Sequence, residues 1–153
     1  MAEPKNIKIV CQNKKASFHY FIEKKFEAGI ILQGSEVKSL RQGGANLGDA
    51  FVDFKKGVPV LYKAHIAPYG FATHAQHMPE RPRELLLHKR EIERISKELK
   101  MGGLTVIPLK IYFRGAYAKV ELALAKGKKV YDKRDDIKKR ISDREISRFN
   151  KAK

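Results

Sequence analysis

Residues 105–124, TVIPLKIYFRGAYAKVELAL, carry the pattern that decides the architecture. In the first half Ile107, Leu109, Ile111 and Phe113 occupy alternate positions. In the second half Ala116, Ala118, Val120, Leu122 and Leu124 do the same, opposite Lys119 and Glu121. A period of two residues places one set of side chains on one face of a pleated strand, and Gly115 supplies the turn. The stretch therefore predicts a hairpin of two long, half-buried strands.

The same period recurs upstream. Ile22, Lys24, Phe26, Ala28, Ile30 and Leu32 alternate with Glu23, Lys25, Glu27 and Gln33, a further long strand in which Ala28-Gly29 permits a bend or bulge. Ala50 to Phe54 and Val58 to Lys63 flank Lys55-Lys56-Gly57, a hairpin signal. Ser35 is read as the cap of a short helix that carries Glu36 in its first turn and Val37 and Leu40 on one side, stopped by Gly43-Gly44. His88 to Leu99 reads as a second helix with Ile92, Ile95 and Leu99 on one face, ended by Gly102-Gly103. Ile66 to Arg83 holds Pro68, Gly70, Pro79 and Pro82 and reads as a long loop. Short strands joined by tight turns around one mid-chain helix predict a mainly β protein, a small closed or partly open barrel. An oligonucleotide-binding-type barrel is one such solution, and pattern alone does not separate it from other small barrels.

Charge narrows the function. The 153 residues carry a formal net charge of +16. Residues 126–153 hold 12 Lys/Arg against 5 Asp/Glu, a net +7, and residues 1–125 hold 21 against 12, a net +9, so body and tail are both basic. Such a balance favours polyanions, nucleic acid first and acidic membrane second. Lysine and arginine pairs (Lys14-Lys15, Lys24-Lys25, Lys55-Lys56, Arg81/Arg83, Lys89-Arg90) punctuate the body. Tyr20, Tyr62, Tyr69, Phe71 and Tyr117 stand among them, able to stack on unpaired bases. The tail has no proline, and no glycine after Gly127, yet few apolar residues (Val130, Tyr131, Ile137, Ile141, Ile146, Phe149). A segment that can be helical but cannot bury a firm face is expected to order on an anionic partner.

No stretch approaches the roughly 18 apolar residues of a spanning helix, and the N-terminus lacks an apolar signal region, so a cytoplasmic protein is expected. Neither phosphate-cradling glycine pattern is present, and there is no G-x-S-x-G elbow. His74 and His77 lie in the long loop, with His65 upstream, without the fixed spacing of a helical metal pair, and the loop pair is read as solvated. Asp135 and Asp136 point apart in a helix and do not converge on one substrate atom. Cys11, the only cysteine, reads as a small hydrophobe in a strand. No enzyme, cofactor or metal site is expected.

Several strings together resemble one family. Asn13-Lys14-Lys15-Ala16, Glu27-Ala28-Gly29-Ile30, and Gly34-Ser35-Glu36-Val37-Lys38-Ser39-Leu40-Arg41 come first. They are followed by His65-Ile66-Ala67-Pro68-Tyr69, Arg81-Pro82-Arg83-Glu84-Leu85-Leu86-Leu87-His88 and Gly127-Lys128-Lys129-Val130-Tyr131-Asp132-Lys133-Arg134. In order and spacing they are similar to the SmpB family of SsrA-binding proteins, from about Asn13 to Arg134.

The resemblance implies an oligonucleotide-binding-type barrel over residues 1–125, followed by a basic, partly disordered tail over 126–153 that becomes helical on the ribosome. It implies a non-enzymatic adaptor of trans-translation. The barrel would bind the tRNA-like domain of transfer-messenger RNA, as a monomer with one copy per RNA, and deliver it to stalled ribosomes. The tail would occupy the vacant message channel against small-subunit ribosomal RNA. Carried onto this sequence, the RNA-binding set is Asn13, Lys14, Lys15 and Glu27, extended by Lys119, Lys126, Lys128 and Lys129, with Lys38 and Arg41 of the short helix as further members. The ribosome-binding set is Asp132, Lys133, Arg134, Lys138, Lys139 and Arg140. Two departures stand out: Glu84 sits where the family usually carries a basic residue, and the tail lacks the tryptophan found in many members. A generic single-stranded RNA-binding barrel and a ribosome-associated assembly protein are the alternatives.

Overall fold

The computed structural model describes residues 7–70 and 77–151, with the side chains at 130–131 and 149–151 excepted. Along the chain run β1 (Ile7–Gln12), α1 (Ala16–His19), β2 (Tyr20–Ile30), α2 (Gly34–Arg41), β3 (Ala45–Asn46), β4 (Phe51–Lys55) and β5 (Val58–Tyr62). They are followed by β6 (His65–Ile66), β7 (Arg83–Leu86), α3 (Lys89–Lys100), β8 (Thr105–Arg114), β9 (Tyr117–Gly127) and α4 (Val130–Lys151). Six antiparallel strands pair in the order β8-β4-β5-β7-β2-β9, and β9 pairs back onto β8. The sheet closes into a small barrel of oligonucleotide-binding type, and β1 pairs with residues 110–114 of β8, beyond the point where β4 meets it at Val106. Closure removes the exposed edges that a flat sheet would leave for aggregation.

The β8–β9 hairpin turns at Gly115, φ +61°, with Arg114 opposite Tyr117. The β4–β5 hairpin turns through Lys56 and Gly57 at φ +52° and +79°, positive values at both central positions that match the twist of the strands. The face assignment of β8 needs correction. Val106, Ile111 and Phe113 point into the main core, whereas Ile107 and Leu109 pack in a second small cluster with Ala16, Tyr20, Ile22, Ala123 and Ala125. A register shift between Pro108 and Lys110 inserts one residue and exchanges the two faces. A matching shift in β2 lies between Ile22 and Lys24, not at Ala28-Gly29. Gly29 serves close packing instead: a Cβ there would sit 3.3 Å from Leu86 Cβ.

Helix α2 is capped by Gln33 rather than Ser35. The Glu36 carboxylate accepts from the Gln33 backbone N–H at 2.8 Å, and the Gln33 side chain accepts from the backbone N–H of Glu36, a reciprocal box. Leu40 of α2 and Ile95 of α3 are fully buried against the main core. α3 carries its own box between His88 and Glu91.

The deepest charged cluster joins α2 to the chain leading into β7. Glu36 and Arg83 are both fully buried and paired through Arg83 Nε. Arg81 Nη2 donates to the same carboxylate at 2.6 Å. Arg83 Nη1 donates to Ala64 O at 2.7 Å and Nη2 to Pro79 O at 3.1 Å. Arg81 and Arg83, read from sequence as part of a basic surface, are therefore turned inward. Burial alone raises the Glu36 carboxyl, but the bonds from Arg81, the Gln33 N–H and Arg83 outweigh it and hold the carboxyl below its ordinary value of 4.5. Burial also lowers the Arg83 guanidinium. His77, read as solvated, is likewise buried: its ring bonds the Ser35 hydroxyl at 2.8 Å and Ile66 O at 2.9 Å. His74 lies outside the described residues.

Because the folded Glu36 titrates below its unfolded value, its contribution is complete above pH 4.5 and lost as pH falls through the folded value. E36Q leaves Arg83 buried without its counter-charge and is expected to lower stability at pH 7 by about 3 kcal/mol. Urea unfolding of both proteins from pH 7 down to pH 3 should show the gap narrowing on the acid side.

Candidate nucleic-acid interface

The loop after β1 turns sharply into α1. Asn13 pins it: its backbone N–H donates to Leu109 O at 2.7 Å and its Nδ2 to Pro108 O at 3.3 Å. With the turn fixed on β8, Lys14 and Lys15 project into solvent. They border a cleft of 720 Å³ whose other walls are Gln12, His19, Asn46, Gly48, Asp49, Lys63, His65 and Glu80. The Gly48 N–H donates to Asn46 Oδ1 at 2.7 Å, which closes the turn that forms one wall. A second cleft of 610 Å³ shares Asn13, His19, Gly48 and Asp49 with the first and continues past Phe51 and Thr105 to Lys128 and Lys133. The two make one groove, rich in lysine and histidine but containing the carboxylates of Asp49 and Glu80. Phosphates suit the first kind of group, and base amino groups or ribose hydroxyls suit the second.

The remaining residues singled out from the sequence fall in other places. Glu27 accepts a hydrogen bond from the Tyr112 hydroxyl and an ion pair from Arg114 at 3.2 Å. Burial, then the Glu27 bond, push the Tyr112 hydroxyl well above its ordinary value, so it stays a donor. These groups line a shallow recess with Lys25, Lys110 and Glu121, where Glu121 holds Lys110 at 3.1 Å and Lys25 at 3.6 Å. Lys119 lies opposite Tyr112 on β9 and shares the outward parity of Glu121. Lys38 and Arg41 are on neither surface: Lys38 Nζ sits 5.6 Å from the Tyr69 ring centre, and Arg41 lies 5.2 Å from that of Phe113.

Lys126 and Lys129 are exposed, but Lys128 is not. Its side chain is 8% exposed, ion-paired with Asp136 and 4.9 Å from the Phe21 ring centre, while its backbone N–H donates to His19 O at 2.9 Å. Lys128 thus fastens α4 to the barrel instead of offering its charge to solvent. Asp132 accepts from the Lys129 backbone N–H at 3.3 Å, a carboxylate at the helix start. Lys133 lines the groove, and Arg140 lies 5.3 Å from the Phe18 ring centre. Arg134, Lys138 and Lys139 face solvent, as do Ile137, Ile141 and Ile146. The Phe149 side chain lies outside the described residues.

Sequence reading missed Lys63, His65 and Asp49 as members of the groove. Lys63 adopts φ +59°, a left-handed conformation that favours glycine or asparagine, so no local signal announces its turn. Burial raises the Cys11 thiol, in keeping with a small core side chain. Among the described residues no helix is long and apolar enough to cross a membrane.

The family model described as SmpB protein matches residues 10–152. An SsrA-binding protein of Desulforudis audaxviator is 53% identical over 146 residues, covering 95% of each chain. Another, from Geobacter sulfurreducens, is 49% identical over 146 residues with the same coverage. A chain solved in work on tmRNA–SmpB at the centre of the bacterial ribosome superposes with a TM-score of 0.66 and 45% identity, covering 78% of this chain and 85% of its own. With six ordered motifs, a closed barrel and a basic helical tail on one chain, this protein belongs to the SmpB family of SsrA-binding proteins.

Proposed function

We propose that this chain is an RNA-binding adaptor of trans-translation: it holds the tRNA-like domain of transfer-messenger RNA and delivers it to stalled ribosomes. The observation that carries this is family membership over nearly the whole chain, together with 45% identity to a chain solved in work on tmRNA–SmpB at the centre of the bacterial ribosome. It acts in the cytoplasm, as one copy per RNA, and without catalysis of its own.

The division of labour follows the fold. Residues 1–125 bind RNA, with Asn13, Lys14 and Lys15 at the groove, and the exposed Lys126 and Lys129 at the junction with the tail add to the same RNA-binding set. Phosphates supply most of the affinity there. Glu27 is spent on Tyr112 and Arg114, so its contribution is to hold a donor hydroxyl and a cation in fixed positions beside Lys119. Lys38 and Arg41, each over an aromatic ring, act at the barrel's α2 end. Residues 126–153 act on the ribosome. Asp132 starts the helix, and Lys133, Arg134, Lys138, Lys139 and Arg140 meet ribosomal RNA along the vacant message channel. With Ile137, Ile141 and Ile146 exposed, α4 has little apolar contact to hold it, so the free tail is only marginally ordered.

Binding of full-length protein to tRNA-like RNA should weaken steeply with salt. The double substitution K14Q/K15Q is expected to reduce the slope of log affinity against log salt by about 1.5, taking about 0.7–0.9 per phosphate contact. A slope near zero in the unaltered protein would contradict the electrostatic account. Substituting Asp132, Lys133 and Arg134 together by alanine should abolish peptide tagging on a stalled ribosome while weakening RNA binding by no more than about tenfold, since of the three only Lys133 borders the groove and it supplies at most one phosphate contact. Equal loss of both activities would place the tail in the primary RNA site.

A further inference from the structure

On the outer face of the barrel, Phe51 at the start of β4 is 38% exposed. Its cross-strand partner Tyr62 stacks against it, ring centres 5.4 Å apart and planes inclined by 22°. A lone exposed aromatic on a strand is ordinary. This pair is set apart by its surroundings. Phe51 forms part of the groove wall beside Asn13, Asp49 and Thr105. Lys63 follows Tyr62 directly and borders the same groove, with its charge exposed.

Lys63 is also held against its backbone preference. Its φ of +59° is disfavoured for any residue with a Cβ. The next residue, Ala64, is fully buried, and its carbonyl accepts from buried Arg83 at 2.7 Å. The ion-paired arginine thus fixes the chain just beyond Lys63 and leaves the lysine pointing out beside the two rings. Strain of this kind persists where surrounding structure imposes it and is concentrated at binding sites.

An apolar ring face, a neighbouring cation and a carboxylate match the parts of one unpaired nucleotide: base, phosphate, and sugar hydroxyl or base amino group. A duplex offers phosphates, ribose hydroxyls and base edges to such a surface but no base face, because its bases are stacked on each other. We propose that Phe51 and Tyr62 form a stacking platform for one unpaired nucleobase of the bound RNA, with Lys63 on the adjoining phosphate and Asp49 accepting from the sugar or base. This rests on the RNA-binding reading above and adds that the RNA is single-stranded where it crosses β4 and β5.

The sequence contains no tryptophan, so F51W provides one reporter at the platform. Full-length F51W is titrated with an eight-nucleotide single-stranded RNA and with a blunt RNA duplex at one ionic strength. Tryptophan emission is expected to be quenched by the single strand and not by the duplex. F51L keeps an apolar contact with Tyr62 but has no ring, and should bind the single strand about tenfold more weakly with an unchanged salt slope and unchanged duplex affinity. K63Q should lower the single-strand slope by about 0.7. Unquenched F51W, or F51L equal to the unaltered protein on the single strand, or equally weakened on both RNAs, would overturn the platform. If the unaltered protein binds neither tRNA-like RNA nor the single strand, it is the RNA-binding reading that fails; if it binds tRNA-like RNA and F51L matches it on the single strand, only the platform fails.

Discussion

The Glu36–Arg83 ion pair is the contact on which the arrangement of this barrel depends. Two opposite charges are removed from water, a cost met only because nearly every polar atom around them is used. The carboxylate takes donors from Arg83, Arg81 and the Gln33 backbone, and Arg83 reaches the carbonyls of Ala64 and Pro79. One side chain therefore ties together the first turn of α2, the chain after β5, and the segment entering β7. Those are the parts of the fold with no long strand ladder to order them. The groove inherits that order: Lys63 precedes Ala64, and Glu80 precedes Arg81, so the inward arginines fix where the outward groups stand.

A second constraint comes from paired bulges. β9 keeps its register along its length while β2 and β8, on either side, each slip by one residue. The slips divide the apolar residues between the barrel core and a small cluster under α1. That cluster seats Ala16, and with it the Asn13-Lys14-Lys15 turn. Fixing the turn to β8 carbonyls gives the lysines a defined outlook without burying their charge. The same α1 surface receives α4 through Lys128, Asp136 and the Arg140–Phe18 contact. Tail and barrel therefore meet next to the groove, held by a few charged contacts and little apolar area.

Much of this was legible in the sequence, for identifiable reasons. Strand periodicity from Ile22 to Leu32 and from Thr105 to Leu124 marked three of the six barrel strands, and Lys56-Gly57 marked the hairpin between two more. The bulges were not placed correctly: the one expected in β2 at Ala28-Gly29 lies between Ile22 and Lys24, and the one in β8 was not expected, because inserting one residue leaves the apolar alternation looking continuous on either side. Arg81, Arg83 and His77 looked like surface groups, since a local pattern says nothing about a partner 40 or more positions away. Lys128 entered the RNA-binding set through the family resemblance; its pairing with Asp136 spans the strand-to-helix junction, which no local pattern announces. The groove brings together Asn13, Asp49 and Lys63 from three separate turns, a convergence that belongs to the closed barrel and not to any one stretch.

The central claim is that the barrel face recognises one folded RNA while the tail is left for another. A nuclease protection footprint of full-length transfer-messenger RNA, taken with and without this protein, tests it directly. The account predicts protection confined to the tRNA-like domain and unchanged when Asp132, Lys133 and Arg134 are replaced by alanine. Protection spread evenly over single-stranded segments, or lost with those three substitutions, would contradict it.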